Sequence, residues 1–472
     1  MKLFRLAGFW MLWLLSGVCV FPASPVTVHG DAPQYRGDTL QFFIYDDLLS
    51  YTPLTLARIP VLPDGSFQGK FQISETMEIF VDLGIYRAFF YAEPGHTYDI
   101  ILPPRKEKQI KDVLNPYFKP EPVHLGIRGT DAGNLNILID RFDRVYHPFF
   151  YSHARSVFTE TRNKHLQEFI DSVRNTFSGA GNAFFNDYME ARLVTLEVMI
   201  LSDRARVLDK YTGFARNIRY RNPGYMELFN QVFNRYFSYL KRGVFSDKLA
   251  AAIIRYNDPD SLANVIDASL GGHYPQFTEL VMIKGIYDAI YDGSFPKDKL
   301  MNLMEKINEV TLFPEHHKMI SNLIRKVRFL EPGSDAPDFT LPDVYGHLVS
   351  LSDFRGKYVY LNFSSRLSYS SLRQFPLLEQ LFEEFADQLV IVTVAPEDDP
   401  EALKYLRESR KYSWIFLVCS PSCTTPGDYG IRVFPSYYLI SPDGKVVLSP
   451  APPPTENFES VFLKILKKSE TE

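Results

Sequence analysis

Cysteine is scarce in this sequence, with three residues in 472. That scarcity excludes a small scaffold held by many disulfides, and it excludes a thiol-rich metal centre. After the N-terminus no apolar run reaches the ~20 residues that a membrane-spanning helix needs, so no transmembrane span is expected in the mature chain. Charge of one sign is also lacking: 51 lysines and arginines face 56 aspartates and glutamates, for a net charge of -5. Nucleic acid wants a basic face to neutralise its phosphates, so no nucleic-acid partner is expected. Apolar residues make up 46% of the chain and aromatic ones 15%, which is too much for a disordered polymer. The length suggests roughly three domains.

Lys2 and Arg5 precede an apolar stretch from Leu6 to Phe21, and Pro22, Ala23 and Ser24 follow it. A charged start, a short apolar run and small residues together read as a secretory signal over residues 1–24. Cleavage near Ala23 or Ser24 is the favoured reading. Ser16-Gly17-Val18-Cys19 resembles a bacterial lipoprotein signal, with Val18 standing where a small residue is usual, so a lipid anchor at Cys19 is the alternative. Either route takes the protein out of the cytosol, to the periplasm or cell envelope. The mature chain then keeps Cys419 and Cys423 in a compartment where close thiols become disulfides.

Three kinds of patterning follow. Residues 25–127 alternate in short runs, as in Ser66–Ile73, where Phe67, Phe71 and Ile73 share one face and Gln68, Lys70 and Gln72 the other. Leu40–Tyr45 and Tyr86–Ala92 are similar, and Pro63-Asp64-Gly65 reads as a hairpin turn. The expectation is an all-β sandwich. Residues 128–330 change to helical spacing. Leu166, Phe169, Ile170, Val173 and Phe177 form one stripe; Phe229, Val232, Phe233, Tyr236 and Leu240 form another, and both predict amphipathic helices. His316 and His317 are adjacent, so their side chains diverge on a helix. His165 and Glu168 have no second histidine, and no metal site is expected. Residues 331–472 alternate strand-like and helical runs, which predicts an α/β sheet with a parallel portion. Ser441-Pro442-Asp443-Gly444 turns one edge antiparallel.

The last segment carries a resemblance. Gly333–Leu341 (GSDAPDFTL), Gly346 and Val349–Lys357 (VSLSDFRGK) lead into Tyr358–Phe363 (YVYLNF). Further on, Tyr429–Ser436 (YGIRVFPS) is followed by Leu439, Ile440 and Asp443–Lys445. This resembles the TlpA-like thioredoxin-fold proteins, relatives of the peroxiredoxins, over about residues 330–468. The preceding β and helical segments resemble, loosely, the N-terminal extensions of envelope thioredoxin-like proteins. The resemblance implies thiol–disulfide exchange through a C-x-x-C pair at the start of the helix after the first strand. There the helix dipole favours the thiolate of the first cysteine, and the second resolves the mixed disulfide. It also implies that Pro435 is the cis-proline beside the pair.

Those two positions fall on Ser368 and Ser371. A hydroxyl neither ionises near neutral pH nor forms a disulfide. No cysteine lies in the segment for a peroxiredoxin reaction either, and His347 is the only histidine after residue 330. Ser368 is therefore expected to cap its helix. No catalytic residue is assigned; Ser368, Ser371 and Pro435 form a vestigial site, and no cofactor is implied. Cys419 and Cys423 are the candidate disulfide or redox pair. A local structural bridge, a displaced redox pair and two free thiols all remain open. The leading expectation is an exported, redox-degenerate binding or scaffold module for a polypeptide or envelope-protein partner. The alternative is a thiol–disulfide oxidoreductase using Cys419 and Cys423. Carbohydrate or peptide binding by the aromatic-rich β and helical segments is a third.

Overall fold

The computed structural model describes residues 23–109, 112, 118–129, 131, 133–154, 160–201, 215–396, 399–420, 423–431 and 433–469. Most of the signal segment 1–24, with Cys19, lies outside the described residues. The chain forms two compact units. The first runs up to Arg105 and resumes over Pro122–Met319; the second takes Lys106–Glu121 and everything from Ile320 onward. The strand-rich and helical segments thus share one unit, and the sequence boundary at 331 lies inside the other.

In the first unit the strands are β1 (Ser24–Asp31), β2 (Thr39–Tyr45), β3 (Pro53–Pro60), β4 (Ser66–Ile73), β5 (Met77–Leu83), β6 (Tyr86–Ala92), β7 (Thr97–Ile101), β8 (Glu121–His124) and β9 (Gly126–Ile127). They make two sheets, ordered β4-β1-β7-β9 and β3-β2-β5-β6-β8. Alternation puts Phe67, Phe71 and Ile73 of β4 in a core shared with Phe42, Ile79 and Phe90 of the other sheet. One expectation is corrected. Pro63-Asp64-Gly65 does not join paired strands; it carries the chain from β3 in one sheet to β4 in the other. Asp64 accepts from the Ser66 amide, and Gly65 supplies the φ of +92° that the bend requires.

The helices that follow are α1 (Leu135–Ala154), α2 (Glu160–Phe177), α3 (Ala183–Leu201), α4 (Pro223–Val232), α5 (Tyr236–Leu240), α6 (Ser246–Ala250), α7 (Pro259–Leu270), α8 (Pro275–Asp292), α9 (Lys297–Val310) and α10 (Pro314–Val327). The stripe Leu166, Ile170, Val173, Phe177 is buried as its spacing predicts. The stripe Phe229–Leu240 is buried too, but on two helices, not one. Arg235 sits at φ +50°, and its amide donates to Asp288 Oδ2 at 2.8 Å on α8. The first of these helices ends at Val232, and Arg235, the N-cap of the next, finds its acceptor on another helix. Spacing alone does not reveal such a break.

Asn136 ties helix to sheet. Its Oδ1 accepts from the Tyr91 amide at 2.7 Å, and its Nδ2 donates to the Tyr91 carbonyl at 2.9 Å. The side-chain amide thereby acts as one more strand residue beside β6. Both bonds are buried, and truncation leaves two backbone groups unsatisfied. Asn136→Ala is expected to lower the unfolding free energy by about 3 kcal/mol, read from the urea midpoint. A loss under about 1 kcal/mol would contradict this role.

The second unit holds a sheet ordered β14-β13-β12-β15-β16, built from β12 (Tyr358–Phe363), β13 (Leu389–Pro396), β14 (Ile415–Cys419), β15 (Ser436–Ile440) and β16 (Val446–Leu448). A separate two-stranded sheet pairs β10 (Thr340–Pro342) with β11 (Leu348–Ser350). β12, β13 and β14 are parallel, and β15 runs antiparallel to both of its neighbours, β12 and β16. Both faces of the sheet are covered, so its strands read as continuous apolar runs. One face packs on α11 (Tyr369–Glu384) and α14 (Phe458–Ser469), through Phe375, Leu378, Phe458 and Phe462. The other packs under Phe339, Leu341, Leu351 and Tyr429. In chain order α12 (Pro400–Ser409) and the single turn α13 (Thr425–Asp428) fall between α11 and α14.

Candidate functional site

The parallel strands end together, and the chain leaves β12 at that end. Ser364 and Ser365 follow Phe363 and are buried. Ser368 then opens α11 as its N-cap, with extended backbone geometry. Its Oγ accepts from the Ser371 amide at 3.4 Å and donates to the Phe434 carbonyl at 3.4 Å. The Ser368 carbonyl takes the first helical bond, from Leu372 N at 3.1 Å. Ser371 is fully buried, and its Oγ accepts from the Ser365 amide at 3.4 Å. Ser365 Oγ in turn accepts from Leu367 N at 3.2 Å. Serine oxygens thus serve the backbone donors of this turn, as N-cap chemistry favours.

The bond from Phe434 to Pro435 is cis, and Ser436 just after it pairs with Phe363. The structure therefore brings Ser368, Ser371 and the Phe434–Pro435 segment together. Among the described residues nothing there resembles an activated nucleophile. Ser368 Oγ bonds two backbone groups, and His347 bonds Asp343 within its own turn at 3.3 Å. Beneath the rim, Tyr437 donates to Gln374 Oε1 at 2.8 Å, and burial raises its phenol pKa further above the usual value, so it stays neutral.

Cys419 and Cys423 are joined as a disulfide. Cys419 ends β14 beside Pro396 of β13, at the same end of the sheet as the close of β12. It is nevertheless displaced from Ser368 in two ways. β13 lies between β14 and β12, a separation of about 10 Å at ordinary strand spacing. Its side chain also belongs to the core on the face opposite α11, packed with Leu417 and Tyr429. Strand alternation sets that face, and Cys423 packs into the same cluster.

Two features escaped the sequence reading. Asn362 is fully buried on the central strand, where its Nδ2 donates to the Val392 carbonyl at 3.0 Å. Its Oδ1 accepts from Ser364 Oγ and Thr393 Oγ1, each at 3.0 Å. Thr393 Oγ1 also accepts from Trp414 Nε1 at 2.8 Å. An asparagine inside an apolar strand was the visible signal. The second feature is an apolar rim around Ser368: Tyr369 is 77% exposed, Val433 54% and Leu367 45%.

Residues 332–449 match the model of the AhpC/TSA family. The thiol-disulfide oxidoreductase ResA of Bacillus subtilis is 32% identical over 144 residues, which cover 79% of that protein and 30% of this chain. The chain belongs to the AhpC/TSA family. The thioredoxin-like protein YneN of Bacillus subtilis is 29% identical over 118 residues, covering 69% of that protein and 25% of this chain. Among solved structures, the thioredoxin domain of a Bacteroides vulgatus thiol-disulfide oxidoreductase is 28% identical. That match covers 96% of the solved chain and 28% of this one, with a TM-score of 0.26. Membership of the AhpC/TSA family thus rests on the C-terminal part of the chain, the part that carries the rim.

The cap role is measurable. Ser368→Ala is expected to cost about 1 kcal/mol of stability in chemical denaturation, whereas Ser368→Asn, which keeps an acceptor, should stay near wild type. Equal losses for both would contradict the cap.

Proposed function

We propose that this is an exported protein of the periplasm or cell envelope whose thioredoxin-like unit binds a polypeptide partner without reacting with it. The observation that carries this reading is that both positions of the expected reactive pair are serines with their oxygens in backbone hydrogen bonds. The basic, apolar and small-residue sequence of residues 1–24 supports export. The exposed Leu367, Tyr369 and Val433 beside the cis-proline segment support an apolar contact surface, of the kind that marks a binding site on a soluble domain. Ser368, Ser371 and Pro435 are then the remains of a redox site beside that contact surface.

Insulin reduction with dithiol reductant tests this. Wild type should run at the uncatalysed rate, while a Ser368→Cys/Ser371→Cys double variant should gain turnover and form an internal disulfide. Turnover by wild type above background would refute the proposal.

A second reading has one observation behind it. The Cys419–Cys423 bridge lies at the same end of the sheet, and a relative such as ResA is named a thiol-disulfide oxidoreductase. Against it, Cys419 is only 2% exposed, and a buried sulfur is a poor leaving thiolate because its charge is not solvated. The structural role is therefore preferred. Cys419→Ser is expected to cost about 2 kcal/mol from the loss of a short loop closure, with no change in any exchange assay. An exchange activity that disappears in this variant would establish the second reading.

A further inference from the structure

The first unit contains a pocket that the reading above does not use. It lies between α7, α8 and the end of α9, with a volume of about 380 Å³. That size falls at the lower end of ordinary ligand sites. Its walls carry Asp260 and Asp267 from α7 and Glu279 from α8, and its floor is apolar, with Met282 and Ile307. No lysine or arginine is among the described residues that line it. At its lip, Val310 is 63% exposed and Leu312 88%.

The carboxylate of Glu279 is held from behind. Its Oε1 accepts from Thr311 Oγ1 and from Nδ1 of the fully buried His316, at 2.8 Å for the latter. His316 Nε2 bonds the Tyr220 hydroxyl at 2.6 Å, which also accepts from Gln276 Nε2 at 3.1 Å. Both bonds to Glu279 fall on one oxygen. The other makes no hydrogen bond among the described residues, on a side chain that lines the pocket. Asp267 is already occupied: its Oδ1 accepts from Thr278 Oγ1, and its Oδ2 bonds Nδ1 of His273, which also lines the pocket. Glu279 therefore loses little freedom when it meets a cation.

We infer that this pocket takes a lysine or arginine side chain of a polypeptide, with its methylenes on the Met282–Ile307 floor and its charge on Glu279 and Asp260. Charge complementarity selects the cation, and the apolar floor selects a stem of the lysine or arginine kind. Val310 and Leu312 select a peptide over a free amine, because they offer contact to a residue next to the basic one. The inference does not depend on the thioredoxin-like rim.

Calorimetric titration of the full chain tests it with three probes: acetyl-Leu-Lys-Leu-amide, the same peptide with glutamine for lysine, and n-butylammonium. The lysine peptide should bind, weaken as salt is added, and bind about tenfold more tightly than either other probe. Asp260→Asn and Leu312→Ser, both at exposed positions whose change leaves the buried His316 chain intact, should each weaken the lysine peptide about threefold or more. Equal binding of the lysine and glutamine peptides, butylammonium as tight as the peptide, no binding at millimolar peptide, or indifference to both substitutions would each overturn the inference.

Discussion

The first turn of a helix has N–H groups with no partner of their own, and in α11 Ser368 Oγ takes one of them from Ser371. A cysteine at that place would use the same helix end differently, since the dipole and amides would stabilise a thiolate. Oxygen at this point converts an environment suited to ionised sulfur into a settled hydrogen-bonded turn. Ser371 and Ser365 extend the pattern inward, so the link from β12 to α11 is held by hydroxyls where the family resemblance implies sulfurs.

The rest of the second unit keeps its architecture without the sulfur. Asn362, Thr393 and Trp414 link β12, β13 and the residue before β14 by buried hydrogen bonds, and apolar cores cover both faces of the sheet. Buried polar groups of this kind cost stability unless each is satisfied, and here each has partners. In the function proposed above, a scaffold held by these bonds presents a surface in place of a reactive pair. Tyr369, Leu367 and Val433 give the rim an apolar character that a purely structural turn does not require.

Much of this was legible in the chain. The period-two runs marked β4 and β6, the helical stripe ending at Phe177 marked α2, and the order of strands and turns after Gly333 marked the α/β sheet. What was not legible depended on partners distant in sequence. Asp288 takes the Arg235 amide at the break between α4 and α5, and no local pattern announces it. Pro63-Asp64-Gly65 has hairpin chemistry, yet the two strands beside it belong to different sheets, because pairing is chosen by long-range burial. Cys419 ends its strand at the same end of the sheet as β12, but strand alternation turns it to the face away from α11, and no local pattern reveals that face.

The central claim is that no sulfur of this protein exchanges with a partner. Mixed-disulfide trapping reports on it most directly: protein isolated from its cells after acid quenching and alkylation of free thiols, then weighed intact by mass spectrometry. The account predicts a single polypeptide mass with Cys419 and Cys423 bridged and unalkylated. Disulfide adducts with other proteins at either cysteine, or a substantial alkylated fraction, would contradict it.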